Sequence, residues 1–147
     1  MLHYVVGGTL LTYITTNILN SLVLNTVDIA CSSFSFIKNG SASNKIIINI
    51  KKELAKLDIK VKIDLVNSLM LNLPVNDITK ILETGLIELM FNIKSIIDWI
   101  DYEILKHQDK WFSGYRNITF DDKLDELKNL IQILDGRINL LLTISKN

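Results

Sequence analysis

Glu103 and His107 stand four residues apart, so a helix would set both on one face, the spacing of a metal-ligand pair. A bound ion needs three or four ligands, and a di-iron bundle repeats Glu-x-x-His on two helices. The chain holds no copy of that motif, since Glu103 and His107 are one residue further apart, and no second Glu/His pair. His107 also continues an apolar stripe. It reads as a seam histidine bonded to Glu103, and neither a metal nor a cofactor is expected. Asp98, Asp101 and Glu103 cluster, but carboxylates at that spacing read as a solvated helical flank. Cys31, the single cysteine, excludes an internal disulfide and a multi-cysteine metal site. Nothing positions it as a nucleophile with His3 or His107 as base, so it reads as a small buried hydrophobe. Gly7-Gly8 lacks the preceding strand and the lysine of a phosphate loop. Asn39-Gly-Ser41 and Asn117-Ile-Thr119 match glycosylation sequons, as chance allows in so asparagine-rich a chain. No catalytic residue and no small-molecule substrate are expected.

The stretch HQDKWFSGYR, residues 107–116, concentrates uncommon side chains: one of two histidines, one of two tryptophans and one of two arginines. It reads as the clasp between two helices. Trp111 and Phe112 end an apolar stripe, Gly114 permits a left-handed turn, and Tyr115 folds back. Arg116 can stack on a ring or bond the last carbonyls of the preceding helix. As a protein-binding tip, the same stretch makes Trp111, Phe112, Tyr115 and Arg116 candidate interaction residues.

The elements that position these residues follow from charge and period. Acids and bases balance at 16 each, so no global charge steers the chain to nucleic acid. Charge is instead segregated. Residues 38–62 hold seven lysines, and residues 63–110 hold eight acids against four lysines. This reads as complementary helix faces meeting in one bundle. The sharper reading lays a lysine patch on lipid headgroups; no arginine or aromatic interleaves it, which disfavours nucleic acid.

From His3 to Val27 there is no formal charge, and Asp28 is the only one before Lys38. That length meets the minimum for a membrane span, yet threonines and asparagines are spread round it. No basic region precedes it, so it does not read as a secretory signal. The expectation is an uncharged apolar N-terminal helix over residues 1–37, buried in the bundle or in an assembly. Its apolar face is Leu11, Ile14, Ile18 and Leu22. If that helix instead inserts in a membrane, those four face lipid while Lys51, Lys52 and Lys56 sit on headgroups.

Residues 38–44 read as a linker, and 45–147 as a helical bundle in one domain with the N-terminal helix. Ile47, Ile50, Leu54, Leu57 and Val61 keep a three-or-four spacing. A break is allowed at Leu57–Asp58, with Asp58 as N-cap. The run IKVKI (59–63) alternates like a strand but reads as helix, which must end before Pro74, the only proline. Asn76 or Asp77 can cap a third helix whose seam is Leu82, Leu86, Leu89, Ile93, Ile96, Ile100, Ile104, His107 and Trp111. Gly85 weakens it by up to about 1 kcal/mol relative to alanine. Thr119-x-x-Asp122 opens a fourth helix with the seam Leu124, Leu127, Ile131, Leu134, Ile138, Leu141 and Ile144. The short connection makes helices three and four antiparallel neighbours. The predicted fold is all-α: an antiparallel helical bundle of four long helical segments, or three plus an extended N-terminal helix.

LDIKVKIDLVNSLMLNL (57–73), HQDKWFSGYR (107–116) and LDELKNLIQILDGRINLLLTI (124–144) resemble small helical proteins of unknown function encoded by large double-stranded DNA viruses. The Ile-, Asn- and Lys-rich composition implies an A+T-rich genome, which is compatible. The resemblance covers the C-terminal two thirds and implies a viral setting, in host cytoplasm or virion, and a non-enzymatic helical protein. The expected partner is another protein or a second copy. The expected activity is helix-mediated self-association or docking, with a membrane-active bundle as the alternative.

Overall fold

The computed structural model describes residues 10–20, 42–108 and 120–147, and every element among them is helical. They are α1 (10–20), α2 (Ala42–Lys56), α3 (Ile59–Asn72), α4 (Asp77–Gln108) and α5 (Asp121–Ser145). The all-α bundle expected from the periodicity is the observed fold. Helix α1 accounts for 10–20 of the N-terminal segment; the rest of 1–37, with Leu22, His3 and Cys31, lies outside the described residues.

The break at Asp58 is a backbone event. Asp58 adopts φ 53°, ψ 36°, the one left-handed non-glycine residue described. Aspartate tolerates that region better than most residues. The Leu57 and Asp58 amides bond back to Leu54 and Ala55 at 3.2 and 3.3 Å, which closes α2. The Asp58 carbonyl then accepts the Lys62 amide at 3.2 Å and opens α3. The expected side-chain cap is absent, since the Asp58 carboxylate makes no capping bond. The left-handed residue also resets the helical phase. Ile59 and Ile63 turn into the core, and Val61, expected in the seam, is exposed.

Pro74 holds Leu73 extended at φ −85°, ψ 144°, so α3 ends at Asn72. Asn76 then caps α4 reciprocally. Its side-chain oxygen accepts the Thr79 amide at 2.9 Å, and its own amide donates to the Thr79 hydroxyl at 2.9 Å. That hydroxyl donates to the Pro74 carbonyl at 2.8 Å, which ties the cap to the turn. At the head of α5, Phe120 occupies the capping position without a capping bond; the expected cap, Thr119, lies outside the described residues. Asp121 and Asp122 place negative charge on the first turn, where the helix dipole favours it.

One core joins all five helices. The α5 seam is buried from Leu124 to Leu141, with Ile144 partly covered. On α4 the buried band is wider than the expected seam, because Met90 and Ile97 join Leu86, Leu89, Ile93, Ile96, Ile100 and Ile104. A helix packed on two sides needs that broader stripe. Helix α5 contacts both α3 and α4. Gly85 meets Arg137 and Trp99 meets Lys123, so α4 and α5 run antiparallel. Lys62 bridges to Asp135 at 2.9 Å and Lys128 to Glu53 at 3.5 Å, so α2 and α3 run parallel to α5. Helix α1 joins α3 through Asn67, whose amide donates to the buried Thr15 hydroxyl at 3.1 Å. Thr15 in turn donates to the Leu11 carbonyl at 2.9 Å, so this core hydroxyl is satisfied.

Candidate docking surface

The interaction residues expected at the clasp, Trp111, Phe112, Tyr115 and Arg116, lie outside the described residues. His107 lies in α4, with its side chain outside them. Among the described residues no group of three or more histidine, cysteine or acidic side chains converges on a point.

The residues assigned to lipid in the membrane reading divide. Leu11, Ile14 and Ile18 are buried in the bundle core. That stripe belongs to the common core, and Thr15 on the same helix bonds to Asn67 of α3. Lys51 is only 3% exposed, so it presents no charge to a membrane surface. Lys52 is exposed, and Lys56 is exposed and bonded to Glu53 at 2.7 Å. That bond and the Lys56 charge, helped by Lys128, hold the Glu53 carboxyl below its usual value against the opposing desolvation. Among the described residues no helix is long and apolar enough to cross a membrane.

Three surface features remain. Between α1 and α4 lies an open groove of about 790 Å³, walled by Tyr13 and Phe91 and floored by Asn17, Asn20 and the Lys94–Asp98 ion pair. It offers amides, ring faces, the Tyr13 and Ser95 hydroxyls and the Asp98 carboxylate.

Where α4 meets the start of α5, a smaller groove of about 320 Å³ runs beside Trp99. Trp99 packs edge-to-face on buried Phe120, with ring centroids 5.8 Å apart at 66°, and Lys123 places its ammonium 6.0 Å from the indole centre. Sequence reasoning passed over Trp99 because it sits one position off the expected seam. Its role depends on the register with α5, for which a single helix carries no signal.

The third feature is apolar. Leu71 at the end of α3 is 83% exposed, and Val75 in the turn is exposed. Ile78 and Ile81, on one face of the first turns of α4, are 64% and 72% exposed. The end of α5 lies at the same end of the bundle, because α3 and α5 run parallel; toward it α5 exposes Leu140, and at its middle Ile133. Arg137 lies between them in sequence. Its guanidinium rests on the α4 backbone, 2.5 Å from where a Gly85 Cβ would stand. Among the described residues Arg137 has no carboxylate partner.

Isolated exposed aliphatics are ordinary, whereas several exposed around one turn are candidates for a contact surface. Two residues after Ile81, Glu83 is buried on α4, and desolvation raises its carboxyl above the usual value. Such an arrangement can bind an apolar helix face. Compared with known proteins, the chain matches no family model, and no curated protein or solved structure matches it either.

Proposed function

We infer that this chain acts by binding rather than by catalysis, as a helical protein that self-associates through an exposed aliphatic face. One observation carries the reading: Leu71, Val75, Ile78 and Ile81 leave their aliphatic side chains exposed around the turn from α3 to α4, and Ile133 and Leu140 are exposed on α5. Leaving large aliphatics in water forgoes about 25 cal/mol for each Å² of apolar surface, and a second apolar surface recovers it. The resemblance to small helical proteins of large double-stranded DNA viruses supplies the setting of the proposal, a viral structural or interaction protein.

Light scattering on the full chain without detergent tests this. The expected result is a defined small oligomer that Ile78→Ser with Ile81→Ser reduces in mass. Its melting temperature should stay near wild type, because exposed substitutions usually fall within about 0.5 kcal/mol of neutral. A strict monomer at every concentration overturns self-association. Flotation of the chain with liposomes would transfer support to the membrane-active reading.

A further inference from the structure

The outward side of α5 carries Ile133, Gly136 and Leu140 at spacings of three and four, one continuous helical face. Gly136 is a mid-helix glycine with nothing within 4 Å of a Cβ built on it. The chain's own packing therefore does not require a glycine there, and glycine weakens a helix interior. A second helix brought close to this face would use the missing Cβ.

Arg137 is the next residue. It is partly buried and has no ion-pair partner among the described residues. Glu88 is exposed on α4, three residues from Gly85, and likewise has none. Within one chain these two groups form no ion pair.

Resting on the self-association reading, the geometry points to an antiparallel pairing of two copies of this chain across the outward face of α5, with Ile133 of one against Leu140 of the other and Arg137 of each reaching Glu88 of the other. An interface between identical copies must be self-complementary. A two-fold centred between residues 136 and 137 meets that demand. It sets residue 133 opposite residue 140, and Gly136 opposite Arg137. The register within each chain supplies the charge match. Arg137 stands level with Gly85, so Gly136 stands level with Leu86, within one turn of Glu88. Arg137 of one copy, opposite Gly136 of the other, is thereby brought to the height of that copy's Glu88. The uncovered Ile81 flanks the same face.

The test uses two full-length variants, Arg137→Glu and Glu88→Arg, measured by analytical ultracentrifugation with thermal melts as a folding check. Each alone should weaken dimerisation by more than about tenfold, because like charges then meet twice across the two-fold. An equimolar mixture should form a heterodimer, visible in native mass spectrometry, because both crossed contacts become attractive. Gly136→Cys in a Cys31→Ser background is independent of those charges. Mild oxidation should link two copies, since Cα atoms within about 7 Å can be bridged. A dimer that survives both charge variants, a mixture that stays monomeric, or a Gly136→Cys chain that does not cross-link overturns this pairing and leaves self-association elsewhere on the chain standing. A monomeric wild type overturns both.

Discussion

The two ends of α4 face the same neighbour, α5, and end in opposite states. At Trp99 the neighbour closes over the ring: Phe120 meets its face at an angle and Lys123 lies beside it. At Ile78 and Ile81 the aliphatic side chains stay in water, and Arg137 of the neighbour lies on α4 one turn further on, at Gly85. Period and composition hardly distinguish the two ends. The difference lies in what the antiparallel register brings alongside. Buried surface at one end holds the fold, whereas uncovered surface at the other is available for association.

The largest test of this contrast is at the covered end. Phe120→Ala should cost about 3–5 kcal/mol, because Phe120 is buried and the cavity beneath Trp99 has no side chain to fill it. That is a large part of the roughly 5–15 kcal/mol that hold a domain folded. Urea unfolding should show a lowered midpoint, and loss of less than half that amount would mean that the lid over Trp99 is decorative.

An intermediate effect is expected at the cap of the open end. Asn76→Ala removes the acceptor for the Thr79 amide and should cost about 1 kcal/mol. The measurement is the same urea midpoint. An unchanged midpoint would show that Thr79 and the Pro74 carbonyl hold the turn alone.

The smallest effect concerns pH at Glu83. Burial raises its folded-state carboxyl above the unfolded value of 4.5, so the folded state favours the protonated form. Stability is therefore undiminished below that unfolded value and falls as pH rises through the interval up to the raised one. Glu83→Gln should melt higher than wild type at neutral pH, and the gain should vanish in acid. A gain that persists at low pH would point to packing rather than ionisation.

How legible each part was in the sequence depends on whether its determinants are local. The α5 seam from Leu124 to Ile144 was readable residue by residue, because an unbroken three-or-four rhythm leaves one face to bury. Pro74 and Asn76 announced the turn between α3 and α4 for equally local reasons. At Asp58 the sequence indicated a break but not the left-handed backbone, and so Val61 rather than Ile59 was placed in the seam. Leu11, Ile14 and Ile18 were recognised as one apolar face. Whether such a face meets lipid or protein is not encoded in its period.

The sequence by itself determined the helices, most of their ends and the stripes that each must bury, since these depend on neighbours within a few residues. Tertiary structure decided how far burial spreads beyond each stripe. The three-or-four seam of α4 takes Leu86 and passes over Ile81, but it also passes over Met90 and Ile97, which the packed neighbours bury. Leu86 turns between packed helices, and Ile81 turns away from them. The register between α4 and α5 sets that outcome, and register is a property of two helices at once.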